Sequence, residues 1–286
     1  MKKLNQHRAA GLLALTLIAG TAVSCSNNNT VVILDDSAPA TPAAAEESAD
    51  AATVSVEAVV SNETANEEKS NDGYEVVETI ELFNGKDLSG WANETGGEPT
   101  GWTVEDGILR LVDPQNGGDL LTKESFDNYV LSFDWRFGVQ CNSGVKYKIE
   151  QPNGKGWIGL EYQVQDDANV DDGKIDDRKI ASLFDVLPAA ASSKAADYPA
   201  PTTELPEGAF RSGKILVLGN HVEHWIDGEK VLAFDIGSEE WNAAKADSKF
   251  KNQKNFGLVN SSPILLQCHG YPVDYRNVVI QKIKAR

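Results

Sequence analysis

The chain has 286 residues, 41% of them hydrophobic, with 43 acidic against 26 basic side chains and a net charge of −17 when histidine is neutral. The hydrophobic fraction supports a globular core, while the excess of acid excludes a nucleic-acid partner, since phosphate binding needs clustered basic charge. GxSxG, P-loop, CxxC and HExxH patterns are all missing from the sequence, so serine-nucleophile, nucleotide-hydrolysing and zinc-protease chemistry have no support.

Residues 1–24 read as an export signal. Lys2, Lys3 and Arg8 precede an apolar run, Ala9 to Ala19, that is interrupted only by Thr16 and is too short to span a bilayer. Ala22, Val23 and Ser24 then lead into Cys25, the pattern of a bacterial lipoprotein cleavage site, although Ala22 stands where Leu is more usual. The expectation is an exported protein, periplasmic or at the cell surface, held to a membrane by lipid attached to Cys25. Residues 25–73 read as a disordered acidic tether. From Ser26 to Gly73 there are ten acidic residues and one Lys, with no aromatic residue before Tyr74, so this stretch cannot bury enough apolar surface to offset its chain entropy.

Residues 74–286 fit one domain. Turn signals punctuate it at Asn84-Gly85, Asp106-Gly107, Asn116-Gly117-Gly118, Asn153-Gly154, Asp172-Gly173 and Asp227-Gly228. Asn-Gly and Asp-Gly favour the positive φ angles of tight hairpins, so the spacing predicts antiparallel β structure rather than βαβ units. In YVLSFDWRF, Tyr129, Leu131, Phe133, Trp135 and Phe137 share one face, and Ser132, Asp134 and Arg136 the other. In WIGLEYQVQ, Ile158, Leu160, Tyr162 and Val164 face a core while Glu161, Gln163 and Gln165 share the opposite side. Strands with one apolar face predict two packed sheets. Helix is scarce, and SEEWNAAKA is the best short candidate, with Ser238 as its N-cap. His221, Glu223 and His224 lie close in sequence, but alternation puts His224 on the other face from its neighbours, which argues against a metal cluster there.

The closing stretch, SPILLQCHG followed by YPVDYRNVVI, carries a site candidate. Read with period two, Leu265, Gln267 and His269 share one face, and Ile264, Leu266 and Cys268 the other. Gly270 and Pro272 break the strand, and the next β-rich run is expected to bring Arg276 and Asn277 into the same neighbourhood. With Cys25 consumed by lipid, Cys141 and Cys268 remain as an even pair in an oxidising compartment, so a disulfide between them is expected.

Several stretches in this order resemble the 3-keto-disaccharide hydrolase domain family, also called domain of unknown function 1080. They are FNGKDLSGW, WTVEDGILRL, DLLTKESFDNYVLSFDWR, the Asn142-Ser-Gly, GLEYQVQDD, GNHVEHWIDGEKV, and LQCHG with YRNV. Lys148 stands where that family has Arg, and Cys268 where its LQDHG has an acid. The resemblance implies an all-β fold, a concanavalin A-like or LamG-like jelly-roll β-sandwich, and action on oxidised sugars. A ketone at C3 of a pyranose acidifies the C2 proton, and loss of that proton gives an enolate that can expel the C1 substituent. The residues implied are Glu161 and His269 as base and acid in either order, Lys148 or Arg276 facing the developing negative charge, and Asn142, Gln163 and Gln267 at the sugar hydroxyls. A divalent metal on Glu161 and His269 is an open alternative, and no other cofactor is implied. The competing reading is a non-catalytic carbohydrate-binding module, which the same sandwich would serve equally well. A purely structural surface protein is a third.

Overall fold

The computed structural model describes residues 73–286 apart from residues 155, 172–174 and 191–209. The export signal, Cys25, the tether up to residue 72 and the Asp172-Gly173 turn lie outside the described residues. The strands, in chain order, are β1 (Tyr74–Glu81), β2 (Trp91–Ala92), β3 (Trp102–Glu105), β4 (Ile108–Leu111), β5 (Leu120–Thr122), β6 (Tyr129–Phe137), β7 (Asn142–Glu150), β8 (Ile158–Gln165), β9 (Arg211–Leu218), β10 (His221–Ile226), β11 (Glu229–Asp235), β12 (Leu265–Leu266) and β13 (Val273–Ala285). One α-helix among the described residues, α1 (Glu239–Asp247), follows β11.

Two antiparallel sheets form a jelly-roll sandwich. The first has the order β11-β10-β9-β6-β13-β4-β3, with β1 also paired to β13; the second has the order β2-β5-β12-β7-β8. Hairpin chemistry accounts for two of the connections. Asp106 and Gly107 (φ 52° and 74°) join β3 to β4, and Asp227 and Gly228 (φ 46° and 80°) join β10 to β11, positive at both central positions as a tight two-residue turn demands.

The period-two pattern meets between the sheets. Leu131, Phe133, Trp135 and Phe137 of β6 pack with Val145 and Tyr147 of β7 and with Leu160, Tyr162 and Val164 of β8, all nearly or fully buried. Each such side chain contributes about 1.5–3 kcal/mol on leaving water. The buried His224 of β10 belongs to this core. Its Nδ1–H donates to the Ala181 carbonyl (2.8 Å), which leaves Nε2 to accept from the Tyr147 hydroxyl (2.7 Å). His221 and Glu223, on the other face of β10, are half-exposed and bond to each other (3.4 Å).

Ser238 caps α1, its Oγ accepting from the Trp241 N–H at 3.1 Å. Trp241 then stacks between Phe234 and Phe256, with ring centroids 5.4 and 5.8 Å away. That anchor fixes where the chain leaves the helix, at Ser248 to Phe250.

Candidate functional site on the outer face of the five-stranded sheet

The site is built on three neighbouring strands. Alternation turns Ser143, Val145 and Tyr147 of β7 into the core and leaves Asn142, Gly144 and Lys146 on the outer face. Registration sets Lys146 opposite Glu161, Gly144 opposite Gln163, and Asn142 opposite Gln165 on β8. On the other side of β7, the Gln267 N–H donates to the Gly144 carbonyl (2.9 Å), so Gln267 and His269 continue the outer face of β12 beyond Leu265. Glu161 lies across Gly144: a Cβ on that glycine would stand 2.8 Å from Glu161 Cγ and closer still to Oε1. Only glycine leaves room for the carboxylate there.

A small polar network holds Glu161. Lys146 Nζ lies 3.8 Å from Glu161 Oε2. With its amide oriented to match donors with acceptors, Gln267 donates to Glu161 Oε1 (3.2 Å) and accepts from Lys146 Nζ (2.9 Å). Glu161 is buried, whereas His269 is exposed and makes no hydrogen bond to any described residue. Asn142 accepts from Gln163 Nε2 (3.0 Å) through its Oδ1, which turns its own NH2 into a donor without a described partner. Asp119 is a further acid at this end. It accepts the Cys268 N–H (2.8 Å), and burial pushes its carboxyl up to about 6, a rise that this hydrogen bond and Lys146 oppose.

The opposite wall comes from irregular segments. Arg178 and Phe184 precede the 191–209 stretch, and Lys249, Phe250 and Gln253 follow α1. Asp185 ties the two segments together: its Oδ1 pairs with Arg178 (2.9 Å to Nε) and its Oδ2 accepts the Lys249 N–H (2.7 Å). With Trp157, Ile158 and Gly159 these groups enclose a pocket of about 580 Å3 that Asn142, Lys146, Glu161, Gln267 and His269 also line. That volume lies in the range of small-molecule sites.

The structure brings Glu161, His269, Gln267 and Asn142 into the lining of one pocket. Gln163 sits just beneath them, fully buried, its Nε2 donating to Asn142 and to Gln165 Oε1 (2.8 Å). Two other predicted residues go elsewhere. Lys148 occupies a bulge of β7 with φ +47°, which shifts the parity of the strand, and its Nζ donates to the Val259 carbonyl (3.0 Å). Lys146 is the β7 cation of the pocket. Arg276 belongs to β13 in the eight-stranded sheet, on the face turned away from the core, where it pairs with Asp134 (3.1 Å) and covers Phe210. Gly270, at φ +84°, and the turn after it carry the chain across to that sheet, so Arg276 and Asn277 do not join His269. Cys141 and Cys268 are not bonded. Cys141 is buried within the core, and Cys268 meets the Pro114 carbonyl (3.5 Å). Sequence reasoning missed Lys146, Asp119 and the whole wall of Arg178, Phe184, Lys249 and Phe250. Alternation from Asn142 would have found Lys146, but nothing periodic marks the others.

Among the described residues no three His, Cys, Asp or Glu side chains cluster to hold a divalent metal, and Glu161 already faces an ammonium.

Residues 78–281 match the sequence family described as the 3-keto-alpha-glucoside-1,2-lyase-like domain. A Bacteroides thetaiotaomicron protein named 3-keto-disaccharide hydrolase is 28% identical over 306 aligned positions, which cover 94% of this chain and 97% of that protein. Among solved structures, a candidate glycosyl hydrolase of Parabacteroides distasonis superposes with a TM-score of 0.61 and 29% identity, covering 71% of this chain and 93% of the other. A second candidate glycosyl hydrolase from that organism gives a TM-score of 0.55 at 23% identity over 72% of this chain and all of its own, a likeness of fold.

Proposed function

Because the chain belongs to the 3-keto-alpha-glucoside-1,2-lyase-like domain family, we propose that it is an enzyme that cleaves 3-keto-glycosides or 3-keto-disaccharides by proton abstraction at C2. The observation that carries this reading is the meeting of Glu161 and His269 in one pocket, with the Lys146 ammonium beside the carboxylate.

The two residues differ in how they are held, and this supports a different role for each. Glu161 is fixed by Lys146, by Gln267 and by the space over Gly144, so it serves as the base that must stand in line with a C–H bond. It takes the C2 proton, and the electron pair passes into the C3 carbonyl as an enolate, whose oxygen Lys146 stabilises. The enolate then re-forms the ketone, a double bond forms between C1 and C2, and the C1 substituent leaves with its bonding pair. His269, exposed and unrestrained, delivers a proton to the departing oxygen. Elimination alone gives a 2-hydroxy-3-keto-glycal; water added across C1 and C2 makes the net reaction a hydrolysis. Asn142 has an amide donor ready for a sugar hydroxyl.

The test is turnover of a 3-keto-glucoside against the parent glucoside, which lacks the acidified proton. The 3-keto compound should release its C1 substituent and the parent glucoside should not. Glu161→Gln and His269→Ala should each lower turnover about a hundredfold or more with the circular dichroism of the sandwich retained. Near-parental turnover in both variants would remove the assignment, and a carbohydrate-binding module would show affinity with no turnover to lose.

A further inference from the structure

The pocket concentrates positive charge in an acidic chain. Lys146, Arg178 and Lys249 line it, and Glu161 is the one carboxylate among the described lining residues, in a protein of net charge −17. Two of the three cations are committed, Lys146 to Gln267 and Glu161, Arg178 to Asp185. Lys249 is different. Its ammonium meets no carboxylate within ion-pair distance among the described residues and rests over ring faces, 3.9 Å from the centroid of Phe184 and 5.0 Å from that of Phe250. Burial there pulls the amine below the usual lysine range, while the charges of Glu161 and Asp185 act against that pull. Asp185 holds the Lys249 backbone in place, so the ammonium is presented at a built position.

The faces of Phe184 and Phe250 carry this ammonium, and Phe250 also stacks on Phe256 (centroids 4.2 Å apart), so what the wall offers a ligand is positive charge. An ammonium with no carboxylate partner among the described residues, in a pocket whose cations outnumber its carboxylates, matches a group that carries negative charge. The pocket volume of about 580 Å3 leaves room beside a sugar ring for such a group. The geometry points to Lys249, seated on Phe184 and Phe250, as the subsite for the C1 substituent, selecting 3-keto-glycosides whose substituent is anionic. The inference rests on the reading of the site as one that cleaves 3-keto-glycosides. Glu161 and Lys146 act on the ketone side, and Lys249 decides which leaving group is held.

The experiment compares 4-carboxyphenyl and 4-carbamoylphenyl 3-keto-glucosides, nearly equal in size, with the parent protein and with Lys249→Met and Lys249→Arg. The parent should show a KM about tenfold lower for the carboxylate; Lys249→Met should abolish that preference by raising the carboxylate's KM, and Lys249→Arg should keep it. Equal KM values in the parent, or a preference that survives Lys249→Met, would overturn the subsite while leaving the cleavage reaction standing. If the parent turns over neither compound, the functional reading fails and the subsite falls with it. Thermal melting of each variant checks that the sandwich is intact.

Discussion

Asp119, Asp167 and His224 titrate across the same acid range with opposite consequences. Burial raises Asp119 and Asp167 to about 6 each. Lys146 and the Cys268 N–H oppose the rise at Asp119, Glu94 and Glu161 add to it, and the Ile180 N–H opposes it at Asp167. Burial also holds His224 down to about 4, against the bond to Ala181. A carboxyl raised in the fold binds its proton more tightly folded than unfolded, so its destabilising effect is present above pH ~6 and is relieved as pH falls toward ~4. His224 contributes the reverse: its stabilisation is present above pH ~6.5 and is lost as pH falls through ~4. Asp119→Asn keeps an acceptor for the Cys268 N–H and removes the charge. Its melting temperature should exceed the parent's at about pH 7.5, and the gap should shrink toward zero near pH 4.5. A gap that does not vary with pH would show that Asp119 is not buried against its charge. At this scale the sequence told most where alternation decides direction. Glu161, Gln267 and His269 could be placed on a face from alternation alone, and Asn142 was named only through the Asn-Ser-Gly of the resemblance. Asp119 could not, because its burial depends on Glu94 and Cys268, 25 and 149 residues away, which meet it only in the fold.

Strand β7 shows how an element carries the site and also how it misleads. Asn142 to Tyr147 alternate cleanly, and then the positive φ at Lys148 inserts a bulge, so that Ile149 joins Leu121 and Leu265 on the outer face. Strict period two from Asn142 turns both Lys146 and Lys148 outward, so it does not separate the pocket lysine from the one in the bulge that the family resemblance named. Gly144 is the complementary case, a gap that the strand needs for the Glu161 side chain. In Gly144→Ala the new methyl would displace the far end of a flexible side chain, which costs the fold little but moves the base out of line. Turnover of a 3-keto-glycoside should fall about a hundredfold while the melting temperature stays near the parent's. Parental turnover in that variant would mean that Glu161 acts from another position. The paired sheets, the hairpins and the capped helix were legible in local chemistry, since apolar period, Asp-Gly turns and Ser238 each act over a few residues. The wall formed by 176–187 and 248–253 was not, because what positions it is a clamp from Asp185 to the Lys249 N–H, 64 residues further along the chain.

Across the whole molecule the two sheets divide the labour. The five-stranded sheet carries the pocket on its outer face. The eight-stranded sheet carries a lattice of ion pairs on its own, with Arg136 bonded to Asp274 (2.8 Å), Arg110 near the same carboxylate, and Arg276 with Asn277 on Asp134. Such a pattern explains why an overall excess of acid coexists with a cationic pocket, since most acids of the described region lie away from the pocket walls.

The pairing of β1 with β13 has a topological consequence. Tyr74 lies opposite Ala285, and the Arg286 N–H donates to the Gly73 carbonyl (3.1 Å), so the strand that opens the sandwich and the strand that closes it end side by side. The order in which the chain visits its strands is therefore nearly a closed circle, and the place where that circle is cut is a matter of sequence rather than of architecture. A circular permutant that joins residue 286 to residue 73 through a short glycine linker, and opens between Asp106 and Gly107, puts its new ends at an exposed hairpin tip on the sheet that does not carry the pocket. It should melt cooperatively and turn over a 3-keto-glycoside at a rate close to that of the unpermuted chain; a permutant that fails to fold would mean that β3 and β4 must be joined before the sandwich can close.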